Sequence, residues 1–113
     1  MSKDHITWSQ FSDIDMRIGT VIHAELFKEA QNPSYKLKID FGALGILKSS
    51  AQITELYEAK DLIGKQLVAV VNFPPKQIAN MMSECLVLGG LGKGKDVVLL
   101  QPEQSMENGT KIS

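Results

Sequence analysis

Tyr35-Lys36-Leu37-Lys38-Ile39-Asp40-Phe41 alternates without a fault, with four apolar residues on one face and two lysines and an aspartate on the other. Successive side chains of a strand point to opposite faces, so the segment reads as a half-buried strand. Upstream, Gln31-Asn32-Pro33-Ser34 has the composition of a turn. Before it, Met16, Ile18, Ile22, Ala24 and Leu26 are apolar while Arg17, His23 and Glu25 alternate with them, which predicts a long first strand over 16–26. Gly19 lies inside that strand, where a missing side chain marks a bulge or the sharp bend of a tightly curved barrel. At the start, Thr7 can cap a short helical turn through Phe11. Trp8, Phe11 and Ile14 then share one side, expected to be buried in the core or against another subunit.

Downstream, Gly42 to Gly45 make a turn into a third strand over 46–49. Ser49 or Ser50 then caps a predicted helix whose inward stripe is Ile53, Leu56 and Tyr57, ending by Gly64. Leu67 to Val71 forms a buried strand. Asn72-Phe73-Pro74-Pro75 stops it, because proline lacks the ladder donor and fixes φ, and a loop begins there. Strands over 86–88 and 97–100 follow, joined by the glycine-rich 89–95 segment. Three strands, a helix and two strands, with no alternation that would build a parallel sheet, predict an all-β domain with one short helix. That element order is the one found in the OB-fold, a five-stranded Greek-key barrel.

A chain of 113 residues, 43% hydrophobic and 22% charged, supports one packed domain. The barrel is expected over 15–113 with a C-terminal extension, and residues 1–14 form an N-terminal extension suited to a dimer contact. A net charge of −1 means that polyanion binding must come from a local patch. Residues 62–95 hold four basic groups and one acidic, a modest local excess. The single cysteine, Cys85, excludes an internal disulfide framework and fits a reducing, cytoplasmic setting. No stretch approaches membrane-spanning length, and no membrane insertion is expected.

Catalytic chemistry finds no foothold. Gly89-Gly90-Leu91-Gly92-Lys93-Gly94-Lys95 begins like a phosphate loop, but Asp96 stands where the Mg²⁺-binding hydroxyl belongs and a strand follows instead of a helix. His5 and His23 lie far apart and share no metal-ligand spacing with Cys85, so neither metal nor cofactor is expected. Lys36 and Lys38 share a strand face, which Lys48 can join across the sheet. Met81 and Met82 offer adaptable apolar contact.

Asp15-Met16-Arg17-Ile18-Gly19 resembles the D-x-R-[VI]-G opening of the EMAP II-like tRNA-binding domain family. Asn72-Phe73-Pro74-Pro75-Lys76-Gln77-Ile78, with Ser83-Glu84 after it, is similar to that family's Asn-x-x-Pro-[RK]-x-[MI] loop and Ser-[EQ] pair. Phe73-Pro74-Pro75, Lys48-Ser49-Ser50-Ala51-Gln52-Ile53 and Leu88-Gly89-Gly90 resemble its stand-alone CsaA-type branch of export-related chaperones. The resemblance implies an OB-fold homodimer that binds tRNA or other structured RNA and is not an enzyme. It assigns Asn72, Lys76 and Ser83 to the recognition surface; the motif residues Arg17 and Glu84 and the strand-face lysines Lys36, Lys38 and Lys48 complete the expected nucleic-acid-binding set. Gln77, Asn80 and Leu86 depart from the family pattern, and Gln77 removes one phosphate contact from the loop. The alternative it implies is a chaperone for unfolded or export-bound polypeptides, using Phe73, Met81 and Met82.

Overall fold

The computed structural model describes residues 4–113. Its centre is a five-stranded, nearly closed antiparallel barrel built from β1 (Met16–Leu26), β2 (Tyr35–Asp40), β3 (Ile46–Ala51), β4 (Gln66–Val70) and β7 (Leu86–Val87). Their order β3-β2-β1-β4-β7 is the Greek-key arrangement expected of the OB-fold. Two hairpins stand on this barrel: β5 (Lys76–Ile78) with β6 (Met81–Ser83), and β8 (Gly89–Leu91) with β9 (Val97–Leu99). Leu37, Ile39 and Phe41, three of the apolar positions of the Tyr35–Phe41 repeat, join Val21, Leu67 and Ala69 in the core.

The bulge predicted in β1 exists, but three residues beyond Gly19. Val21 pairs with Ile39 and His23 with Lys38, which leaves Ile22 without an opposite number. One extra residue reverses the inward phase of a strand. The apolar stripe read as a single face therefore splits. Ile18 is buried outside the main core cluster, in a hollow with Val68, Pro102, Met106 and Ile112, where the C-terminal segment covers the barrel. Beyond the bulge, Ala24 pairs with Leu37 and packs against the core. Gly19 answers a different need: a Cβ there would lie 2.6 Å from both Ile39 Cγ2 and Phe41 Cε1.

The predicted helix after Ser49 is a correction. Ser49 and Ser50 belong to β3, and the Ser49 hydroxyl donates to the Cys85 carbonyl at 2.9 Å across the barrel seam. The helix is instead the short α2 (Ala59–Leu62), and the chain contains a second, α1 (Trp8–Ser12). Of the expected stripe, Ile53 is buried and Leu56 is exposed. The Tyr57 hydroxyl accepts the Leu99 N–H at 3.0 Å, while its carbonyl accepts from the Tyr35 hydroxyl at 2.7 Å. The loop expected after Asn72 contains the β5–β6 hairpin.

In α1 the Thr7 hydroxyl accepts the Gln10 N–H, and the Gln10 side chain returns a bond to the Thr7 N–H, a complete capping box. Trp8 stacks near Phe11 at 5.6 Å between ring centroids but remains 75% exposed, so this side does not enter the barrel core. No helix among the described residues is long and apolar enough to cross a membrane.

Candidate nucleic-acid interface

The strand register gathers the cations on one face. Lys38 lies opposite His23 of β1 and Lys48 of β3, while Lys36 lies opposite Glu25 and Ser50. Residues directly opposite one another share a sheet face, and like charges so placed repel. Lys36, Lys38, Lys48 and His23 line a recess of about 210 Å³ whose rim includes Asn80 and Met81. The nearby carboxylate of Glu25 points to His23, 3.5 Å from its Nε2. Among the described residues, neither these three lysines nor Lys76 forms a salt bridge. Lys36 Nζ sits 5.1 Å from the centre of the Phe27 ring, a cation–π contact that steadies it without neutralising it.

A second cleft, about 540 Å³, opens beyond the Lys36–Ser50 pair. The β1–β2 loop contributes Gln31 and Asn32, the β3 side contributes Ser50 and Gln52, and the β5–β6 hairpin contributes Lys76 and Gln77. Strand alternation already set His23 and Glu25 among the polar positions. Gln31 and Asn32 read only as a turn, Gln52 as part of a family-like stretch and Asn80 as a departure from the family pattern; none is marked for binding, because loop amides carry no periodicity and their convergence is a product of tertiary folding.

The remaining candidates have structural bonds of their own. Asn72 accepts the Asp15 N–H on Oδ1 at 3.0 Å and donates from Nδ2 to the Asp13 carbonyl at 2.7 Å. Arg17 binds Asp15 at 2.6 Å and donates to the Gly109 carbonyl at 3.0 Å. The Asp15 hydrogen bond raises the Arg17 pKa above its already high ordinary value, so the guanidinium remains charged. The Ser83 hydroxyl accepts the Ser50 N–H at 3.2 Å, and Glu84 Oε1 accepts the Lys48 N–H at 2.9 Å. The Glu84 N–H completes the exchange by donating to the Lys48 carbonyl at 2.7 Å. Arg17, Asn72, Ser83 and Glu84 thus tie segments together, whereas Lys36, Lys38, Lys48 and Lys76 carry the unpaired charge. Of the apolar candidates, Phe73 and Met82 are exposed, but Met81 is buried.

A five-stranded barrel whose β1–β2–β3 face bears unpaired lysines, flanked by the first loop and by the connection from β4 to β7, has the architecture of an OB-fold module. The family model described as "Putative tRNA binding domain" matches residues 16–111, and the chain belongs to that family. It is 36% identical over 110 residues to a methionine–tRNA ligase of Methanococcoides burtonii, and 33% over 107 residues to one of Bdellovibrio bacteriovorus. These alignments take in 97% and 95% of this chain but only 16% and 15% of the two ligases, so the chain corresponds to a small part of each.

Among solved structures, the chaperone CsaA of Bacillus anthracis superposes with a TM-score of 0.93 at 58% identity, covering 97% of this chain and 100% of that one. The CsaA chaperone protein of Picrophilus torridus gives 0.90 at 53%, covering 96% and 100%. A methionyl-tRNA synthetase-related protein of Pyrococcus horikoshii, at 22% identity and a TM-score of 0.87, shares the fold over 98% of this chain and 100% of its own.

Proposed function

We propose that this chain is a homodimeric, non-catalytic tRNA-binding protein of the cytoplasm, holding structured RNA on its β1–β2–β3 face. The observation that carries the reading is the Lys38–Lys48 pair, set directly opposite across the sheet with no salt bridge to either. Such an arrangement costs stability in the free protein, and a polyphosphate relieves it. Lys36 and Lys76 extend the charge to either side of the hairpin tip. Asn72, Ser83, Glu84 and Arg17 serve recognition by fixing the loop and barrel that present these lysines. The dimer uses the N-terminal extension, where Ile6 and Trp8 are 67% and 75% exposed beside Phe11 and Ser113. An apolar surface of this kind marks an association site.

Filter binding of tRNA across a salt series tests the RNA reading. Each lysine removed from a phosphate contact should lower the magnitude of the log–log salt slope by about one. The parent should therefore show a steep slope and Lys38→Gln/Lys48→Gln a slope shallower by about two. Affinity for tRNA no better than that of an acidic control protein, or a slope indifferent to the double substitution, would overturn it.

A second reading is supported by the exposed Phe73 and Met82 and by the similarity to proteins described as CsaA chaperones. In it, unfolded polypeptide lies against this apolar surface. Suppression of client aggregation measures the activity. A Met82→Asp variant as effective as the parent would rule that surface out.

A further inference from the structure

The two recesses flanking the β5–β6 hairpin differ in chemistry, and the difference specifies a ligand. Resting on the RNA-binding reading above, we infer that the 540 Å³ cleft admits a single unpaired nucleotide, its base held edge-on by amides and its phosphate by the neighbouring lysines. A carboxamide presents one acceptor and two donors in a plane, which matches the edge of a nucleobase; an ammonium group supplies only charge. Gln31, Asn32, Gln52 and Gln77 bring four such groups to one cleft from three separate segments. Only Gln77 uses its amide within the protein, donating to the Ala79 carbonyl at 3.2 Å. Among the described residues the side-chain amides of the other three have no protein hydrogen bond to break.

Orientation follows from charge. In the amide cleft Glu29 and Lys76 offset each other, while the adjoining recess sets Lys36, Lys38 and Lys48 against the single carboxylate of Glu25, so a phosphate is drawn to the recess. The Lys36–Ser50 pair and the hairpin tip separate the two, with Ser50 facing the base side and Lys36 the phosphate side. A carboxylate beside amides accepts from exocyclic amino groups, which favours cytosine, adenine or guanine over uracil. No aromatic side chain lines the cleft, so binding comes from hydrogen bonds and not from a stacking platform. The volume lies in the range of small-ligand clefts. A paired base cannot enter it, because its Watson–Crick edge is taken by its partner and its ring is stacked within the helix, whereas an unpaired base can be splayed out.

Fluorescence anisotropy with two labelled RNAs tests the assignment: a hairpin with a three-adenosine bulge, and the same hairpin fully paired with its loop closed by a covalent linker. The parent should prefer the bulged RNA by about tenfold, the worth of one or two neutral hydrogen bonds. Gln52→Ala and Asn32→Ala, both at exposed positions, should each erase most of that preference while leaving the salt slope unchanged. Lys38→Gln should lower the slope by about one on both RNAs and leave the preference intact. Equal parental affinity for the two RNAs, or a preference that survives both amide substitutions, overturns the nucleotide cleft while the RNA-binding reading stands. Failure of the parent to bind either RNA overturns both.

Discussion

Gly19 is required by its neighbours and not by its own backbone. A methyl group there would meet Ile39 and the Phe41 ring at 2.6 Å, and both are fully buried with no room to yield. Gly19→Ala should lower urea-unfolding stability by about 1–3 kcal/mol, the usual cost of overpacking a core. Adding Phe41→Leu should cost less in the Gly19→Ala background than in the parent, because the shorter side chain vacates the contested space. Cys85 makes a second residue-scale prediction. Burial raises its thiol pKa from 9.0 to about 12, so the folded protein holds the proton where the unfolded chain loses it. Its contribution to stability is complete below pH 9 and is lost as the pH rises towards 12. Unfolding midpoints measured from pH 8 to pH 11 should fall less steeply in Cys85→Ala than in the parent.

The strand elements show why a short motif tolerates two residues. Ser83 and Glu84 join β3 to the chain entering β7 through two side-chain acceptors beside a single backbone bond, Glu84 N–H to the Lys48 carbonyl. The Lys48 N–H needs only an acceptor oxygen, which glutamine supplies as well as glutamate. Glu84→Gln should therefore leave the unfolding midpoint nearly unchanged, whereas Glu84→Ala should cost about 1–3 kcal/mol by orphaning a partly buried N–H. Hydrogen exchange at Lys48 should accelerate only in the alanine variant. These bonds also explain where sequence reading succeeded. Strict alternation located β2, since Tyr35, Leu37, Ile39 and Phe41 share one environment. It failed after Ser49, because a serine that caps a helix and a serine that bonds across a seam look alike until Cys85 is placed. The β5–β6 hairpin was hidden for a related reason: its two three-residue strands, Lys76–Ile78 and Met81–Ser83, are too brief to show a period.

At the scale of the molecule, the two distant motifs touch. Asn72 grips the backbone at Asp13 and Asp15, and Asp15 in turn holds Arg17 against the Gly109 carbonyl. Residues 57 and 92 positions apart are thereby drawn into one cluster beneath the barrel. Of the proposed binding face, the lysines of β2 and β3 were legible from the strand pattern, but the amides were not. The apolar N-terminal side should decide assembly. Trp8→Asp should convert the proposed dimer to a monomer in sedimentation equilibrium, and tRNA affinity should fall by at least about tenfold if both barrels engage one RNA.

The tail that covers Ile18 has a further consequence for the order of folding. Its backbone bonds β1 directly: Ile18 N–H donates to the Thr110 carbonyl at 2.9 Å, and Ile112 N–H donates to the Met16 carbonyl at 2.9 Å. A nascent chain emerging from the ribosome can pair β1 with β2 early, yet Ile18 stays wet until residues beyond 108 have left the exit tunnel. The growing polypeptide thus displays an adhesive spot that is sealed only once the segment up to Ile112 has emerged and docked.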